Sequence, residues 1–259
     1  MLIYIKRFLK KTISVFREKV VNANKNNYFD PPAIWIESIF KETNINVVQV
    51  GSNDGVSGDP LYKLLKKNVG WEALFIEPVP YLFEKLKANY ENQPRFKFEN
   101  VAINNGSYQT FYSVKNSAKL EIPNLPKWYD QLGSFYRENI TKHLNGILEP
   151  YIIESRIKGF NLPDILKINK VKSIDLIHID AEGYDWVILS QLNLNQFSPK
   201  AILFEHKHLK IEEKQKSLKY LNQHNYTIFE LGCDFIGIKM NSEIERHCLA
   251  YLHSTDEAN

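Results

Sequence analysis

The sequence has no run approaching the ~18 uninterrupted apolar residues of a membrane-crossing helix, which argues against a spanning protein. Cysteine is nearly absent. Cys233 and Cys248 are too few for a disulfide framework and lack metal-site spacing, so both read as reduced thiols of a cytosolic protein. Charge of one sign is scarce as well: 33 basic against 30 acidic residues leave +3, too little to mark a nucleic-acid binder, and no nucleic-acid partner is expected. Internal repeats and low-complexity tracts are missing. What remains is an ordinary globular composition, 259 residues with 44% hydrophobic and 13% aromatic, enough to bury a substantial core.

The small net charge is unevenly placed. Residues 1–25 hold seven basic residues and one acid, so the rest of the chain is net negative. Lysines and arginines interrupt the apolar positions there, which argues against a secretory signal. Ile5, Phe8, Leu9, Ile13, Phe16 and Val20 recur at helical spacing. The expectation is a basic amphipathic extension over residues 1–44. It either lies on an anionic membrane surface, peripheral at its inner face, or packs on the parent domain or on a second copy of the chain.

From residue 45 the pattern alternates. Short apolar runs at 46–50, 73–76, 96–103, 174–179 and 201–204 read as strands, separated by helix-compatible stretches at 61–68, from Pro80 to about Tyr90, at 184–192 and at 211–222. Asp59-Pro60 and Pro80 suit helix starts, and Gly51 and Gly70 suit stops. Asn105-Gly106 predicts a hairpin leading from the third strand into 109–114. Residues 227–231 and 235–240 read as a closing hairpin around Gly232. The fold class expected is α/β: a doubly wound, Rossmann-like, mostly parallel seven-stranded sheet with an antiparallel edge strand. It spans 45–241, with a tail at 242–259. Residues 115–172, crowded with Pro123, Pro126, Trp128, Tyr129, Phe135 and Tyr136, break the rhythm as an inserted lid-like segment.

Ligands of doubly wound sheets bind beyond the carboxyl ends of the strands, where the strand order reverses. The loop Gly51-Ser52-Asn53-Asp54-Gly55 has neither the glycine fingerprint of a dinucleotide cradle nor a P-loop lysine, yet its glycines permit close backbone approach. Glu77 ends the second strand, where an acid accepts hydrogen bonds from two ribose hydroxyls. Asp180 and Glu182 follow the fourth strand, and Glu205-His206 the fifth. Asp180, Glu182, Asp185, Glu205 and His206 together offer ligands for a magnesium-type divalent ion, but their spacing is not diagnostic and no metal is assigned.

Three blocks are more specific in combination: Val48-Gln49-Val50-Gly51-Ser52-Asn53-Asp54-Gly55, Phe75-Ile76-Glu77-Pro78-Val79-Pro80, and residues 174–184, which include Ile179-Asp180-Ala181-Glu182-Gly183-Tyr184. Together they resemble the FkbM-type methyltransferases over roughly residues 45–206, with the insertion poorly matched. The resemblance implies the class I fold, S-adenosylmethionine as cofactor, and site roles by position. Gly51, Ser52, Asn53, Asp54 and Gly55 would border the methionine part, Glu77 and Pro78 the ribose, and Asn100, Val101 and Ala102 the adenine. Asp180, with Glu182 beside it, would meet the cofactor's amino group or face the substrate near the methyl. A lysine usually stands in the family where His178 stands here, and strand alternation puts His178 and Asp180 on one face. The resemblance also implies O-methylation of a sugar or of a small-molecule or lipid-linked acceptor. His206, Asp180 and His178 are the candidate catalytic groups, with His208 an alternative and His206 favoured as base. Two other classes share the fold, a nicotinamide-dependent oxidoreductase and a noncatalytic interaction module.

Overall fold

The computed structural model describes residues 31–40, 44–91 and 93–239. The basic segment at 1–25, Cys248 and the tail at 242–259 lie outside the described residues. The chain divides into two units, one of residues 1–41 with 240–259 and one of residues 42–239. In the first, helix α1 (Pro31–Ile39) is described. No described helix is long and apolar enough to cross a membrane.

The second unit is built on a seven-stranded sheet in the order β3-β2-β1-β7-β8-β10-β9. Its central strands are β1 (Asn46–Val50), β2 (Glu72–Ile76), β7 (Leu176–Ile179) and β8 (Ala201–Glu205). They are parallel, with Val48 opposite both Leu74 and Ile177, and Ile177 opposite Ile202. Each is buried over nearly its whole length, as strands covered on both faces must be, and this is why each reads as a continuous apolar run. The chain winds outward from β1 through β2 to β3 (Phe96–Glu99), then returns to β7 on the other side of β1. The order therefore reverses between β1 and β7. The hairpin of β9 (Thr227–Leu231) and β10 (Asp234–Ile238) closes the far edge, with β10 antiparallel to both β8 and β9.

Two helices follow the early strands, α2 (Tyr62–Lys67) and α3 (Pro80–Asn89). Pro80 opens α3 at a position whose N–H has no intrahelical partner. Leu86 of α3 and Tyr90 beyond it cover Gly55: a Cβ on Gly55 would lie 2.5 Å from Leu86 Cδ1 and 2.7 Å from Tyr90 Cε2. Gly55 is thus fixed by packing as well as by its φ of +70°.

The third strand is shorter than its apolar run suggests, and the hairpin expected at Asn105-Gly106 does not form. The turn is there, with Gly106 at φ +82°. However, β4 (Tyr108–Val114) leaves the main sheet and pairs antiparallel with β6 (Ile152–Lys158) and with the short β5 (Gly133–Ser134). Ile103 instead bridges Phe160 in parallel. The expected irregular insertion therefore shares a three-stranded sheet with β4 and adds α4 (Ala118–Glu121), α5 (Arg137–Thr141) and α6 (Leu162–Ile168). It has its own apolar centre, including Val114, Leu125, Leu132, Ile140 and Leu148. Helices α7 (Asp185–Leu189) and α8 (Ile211–Gln223) complete the unit.

Aromatic rings fill one side of the β2–β3 region. Phe75 lies 4.5 Å from Tyr90 and 5.4 Å from Phe98, and Tyr90 lies 4.9 Å from Phe96. The Tyr90 hydroxyl is buried there without a hydrogen-bond partner among the described residues. An unmatched buried hydroxyl costs about 1–3 kcal/mol. Tyr90→Phe keeps the ring packing and removes that cost, so urea denaturation should show a gain of about 1 kcal/mol or more; a loss would mean that the hydroxyl has a partner in solution.

Candidate functional site

At the reversal point the tips of β1, β2 and β7 line an open cleft. Val50, Gly51 and Asn53 come from the first tip, Glu77 and Pro78 from the second, and Asp180, Ala181 and Glu182 from the fourth-strand turn. Val101, Ala102 and Ile103 form an apolar wall. Phe111 of β4 and Gln131, Gly133 and Phe135 of the insertion, with Tyr184, form the opposite side.

Gly51 is required by the approach of two strand tips. It adopts φ +78°, and a Cβ there would sit 1.7 Å from the Asp180 carbonyl oxygen. The Gly51 and Ser52 amides both donate to the Ile76 carbonyl, at 2.9 and 3.1 Å. Ser52 Oγ donates to the Gln49 carbonyl and accepts from the Ile76 amide, so Ser52 braces β1 against β2 and does not line the cleft. Asp54 is likewise occupied with the loop, accepting the Val56 and Ser57 amides.

Glu77 is 3% exposed, and its two carboxylate oxygens each accept one main-chain N–H, from Asn53 and from Val79, both at 2.8 Å. Burial nevertheless dominates over these bonds and pushes its pKa up to about 7. Asn100 donates to the Glu77 and Pro78 carbonyls, at 2.7 and 3.2 Å, and so shapes the loop from outside the cleft lining.

The β7 turn is held by Asp185, whose carboxylate accepts the Ala181 amide at 3.2 Å and the Gly183 amide at 3.1 Å. Burial raises Asp185 to about 8. Glu182 and Gly183 both take positive φ, +48° and +91°. The Glu182 carbonyl accepts Ser134 Oγ at 2.8 Å and Asn139 Nδ2 at 2.7 Å, so the insertion clamps this turn. Burial first, then the neighbouring carboxylates Glu182 and Asp185, hold Asp180 well above the ordinary carboxylate range. Glu205 is raised for the same reason, with Asp180 its nearest electrostatic influence.

Two of the expected catalytic groups are not brought to the cleft. His178 pairs in register with Gln49 inside the sheet, its Nδ1 3.1 Å from Gln49 Nε2, and burial pushes it down to about 4, which keeps it neutral. Strand alternation does put it on the side of Asp180, but two residues deeper, about 6.6 Å back along the strand. His206 continues the β8–β10 ladder through its amide, and its ring stacks on Phe235 at 3.9 Å with Nε2 3.5 Å from Glu230 Oε1. His208, two residues on, turns instead toward Glu182, Nε2 to Oε2 3.5 Å. His143 of the insertion approaches the same oxygen at 3.8 Å. Sequence reasoning missed His143 and Gln131 because the insertion carrying them shows no period matching the main sheet, and Phe111 because 109–114 read as a hairpin strand of that sheet. Phe135 was noted there as one aromatic among several.

The raised Glu77 fixes the sign of a pH effect. Its pKa is about 7 folded against 4.5 as a free side chain, so the native state binds the extra proton between those values and its stability falls as pH rises through them. Asp185, about 8 against 3.8, acts in the same direction. Denaturation of Glu77→Gln between pH 4.5 and 7 should show a shallower decline than the parent. An unchanged slope would remove Glu77 as a source of that dependence.

Residues 49–235 match the family described as the methyltransferase FkbM domain. No curated protein sequence matches the chain. Among solved structures, a methyltransferase from Geobacter sulfurreducens is similar at 9% identity and TM-score 0.43, over 92% of this chain and 96% of that one. An S-adenosylmethionine-dependent O-methyltransferase from Thermotoga maritima is similar at 8% identity and TM-score 0.41, over 86% and 71%. The METTL16 methyltransferase domain is similar at 13% identity and TM-score 0.43, over 81% and 67%.

Proposed function

The chain belongs to the FkbM methyltransferase family, and we propose that it methylates a hydroxyl oxygen on a sugar or on a small-molecule or lipid-linked acceptor. The observation that carries this reading is the convergence of Gly51, Glu77 and Asp180 on one cleft, with Glu77 buried and oriented by two main-chain N–H groups. When bound, S-adenosylmethionine supplies a methyl group on a positively charged sulfur, open to in-line displacement by an acceptor oxygen.

The cleft suits that cofactor in its donor set. Each Glu77 oxygen spends one lone pair on the chain and keeps capacity for a ribose hydroxyl. Pro78, Val101 and Ala102 offer the small apolar surface that a flat base needs. The missing side chain at Gly51 lets the β1 and β7 tips close on each other at the cleft. Asp180, held above its usual range by burial and like charges, is ready to ionise beside a cationic amino group. Such a pair at ~4 Å gains about 4 kcal/mol at intermediate effective dielectric before desolvation.

The aromatic side of the cleft, Phe111, Phe135 and Tyr184, supports entry of the acceptor there, since rings stack on sugar faces and exclude water. Alignment of the reacting oxygen then supplies up to about 7–11 kcal/mol. The hydroxyl proton also needs a destination. Glu182 lines the cleft, its buried Oε2 has no hydrogen-bond partner among the described residues, and His208 Nε2 stands 3.5 Å behind it. Glu182 and His208, and not His206, stand beside the cleft to serve that proton loss.

Calorimetry with S-adenosylhomocysteine should show one site per chain, weakened at least tenfold by Glu77→Ala and by Asp180→Ala. At 100 times its Kd the ligand should stabilise the protein by about 2.7 kcal/mol, and NAD should give no shift. Stronger stabilisation by NAD, or undiminished binding in both variants, overturns the reading. Mass and NMR analysis of products from hydroxylated glycans and lipids would locate the methyl; transfer to nitrogen or carbon rejects the O-direction.

A further inference from the structure

Three polar side chains from three separate parts of the chain meet at the edge of the cleft: His143 after α5, Glu182 in the β7 turn and His208 beyond β8. Their nearest ligand atoms all lie within 4.8 Å of one another. We propose that His143, Glu182 and His208 bind one divalent transition-metal ion of the zinc type, with an open position toward the cleft.

The distances support a shared ion over a set of direct hydrogen bonds. Glu182 Oε2 lies 3.8 Å from His143 Nε2 and 3.5 Å from His208 Nε2. N–H···O hydrogen bonds close at about 2.7–3.2 Å. Ligands on a tetrahedral zinc at bond lengths of ~2.0–2.1 Å stand about 3.3–3.4 Å apart. The donors are therefore spaced a little wider than a zinc shell, within the reach of small side-chain rotations. Both His143 Nε2 and Glu182 Oε2 are buried and have no hydrogen-bond partner among the described residues. Two imidazoles aimed at one carboxylate oxygen, with His143 Nε2 and that oxygen left unsatisfied, are costly unless something between them takes their lone pairs.

The surroundings agree. The His143 ring is 5.1 Å from that of His208, and Trp128 packs over it at 5.5 Å, limiting access of water from that side. Glu205 Oε1 is 3.8 Å from His208 Nε2, and its Oε2 is also buried without a hydrogen-bond partner among the described residues, so a second carboxylate stands next to the cluster. Two nitrogens and one oxygen favour a zinc-like ion over magnesium or calcium, which prefer all-oxygen shells. Three protein ligands leave a fourth position free, as catalytic zinc sites do. Because Glu182 also lines the cleft, that position faces the acceptor side. Resting on the methyl-transfer reading, its chemistry suits an acceptor hydroxyl, whose acidity a bound cation raises. This set differs from the one that the sequence suggested, sharing only Glu182 with it.

The test is calorimetric titration of Zn²⁺ and, separately, Mg²⁺ into the chelator-stripped full chain, with elemental analysis of the loaded protein. One Zn²⁺ per chain is expected, weakened more than about 100-fold in His143→Ala and in His208→Ala, since even the outer partners of metal ligands are worth about 10–100-fold. Co²⁺ loading should give the visible bands of a tetrahedral site in the parent and lose them in both variants. S-adenosylhomocysteine binding, measured on the same variants, reports that they remain folded. No Zn²⁺ uptake by the parent, uptake undiminished in both variants, or preference for Mg²⁺ overturns the proposal. Zinc binding without binding of the homocysteine ligand upholds the metal site and removes the methyl-transfer reading; the reverse result does the opposite.

Discussion

The arrangement depends on one buried carboxylate. Glu77 sits at the end of β2 and ties two loops to itself, the β1 loop through the Asn53 amide and the start of α3 through the Val79 amide. A carboxylate with both oxygens so engaged cannot swing out to water without breaking two charge-assisted bonds. The loop after β1 must therefore fold back over β2, and Gly51 must pass close to the Asp180 carbonyl. Strand parallelism brings the tips to one end of the sheet; this contact decides that they enclose a cavity and do not fan apart.

The insertion is joined to the same geometry from the other side. Ser134 and Asn139 both donate to the Glu182 carbonyl, and Gly183 leaves no room for a side chain beside Asn139 Nδ2. The left-handed backbone at Glu182 and Gly183 is thus held by partners more than 40 residues away in sequence. The insertion and the strand-end turn form one structural element, and the cleft has a wall from each. This explains how a segment outside the parallel sheet contributes Gln131, Gly133 and Phe135 to the lining.

The central strands were legible in the sequence because burial on both faces leaves a continuous apolar signature. Val47-Val48, Ala73-Leu74-Phe75-Ile76 and Ile177 to Ile179 carry it plainly. Gly51, Glu77 and Asp180 were legible because strand ends in this fold are where ligands meet the backbone. The β4–β6 pairing was not, since Tyr108 finds its partner at Lys158 and local turn chemistry at Asn105-Gly106 says nothing about a strand 50 residues on. His206 illustrates a different limit. Its place after β8 suggested the cleft, but the amide bond to Cys233 carries the ladder one residue further, and the ring is taken up by Phe235. His208, beyond the ladder, is the one that reaches Glu182.

The charge balance at the cleft constrains what it can hold. Asp180, Asp185 and Glu205 are each raised by burial first and then by neighbouring carboxylates, Glu182 among them in every case, so these acids keep protons that ordinary carboxylates would release. An anionic or neutral ligand would leave that energetic cost in place. A cationic group offsets it by letting one or more of these acids ionise in a medium where each interaction is stronger than in water. Asp185 is already committed to the turn through Ala181 and Gly183, which leaves Asp180 as the acid that answers a ligand inside the cleft and Glu205 as the one beside the histidine cluster. Two separate demands for positive charge thus sit a few residues apart, one suited to the cationic groups of the proposed cofactor, the other to the proposed metal ion. The insertion, through the Ser134 and Asn139 hydrogen bonds to the Glu182 carbonyl, holds the turn that carries Glu182 between them.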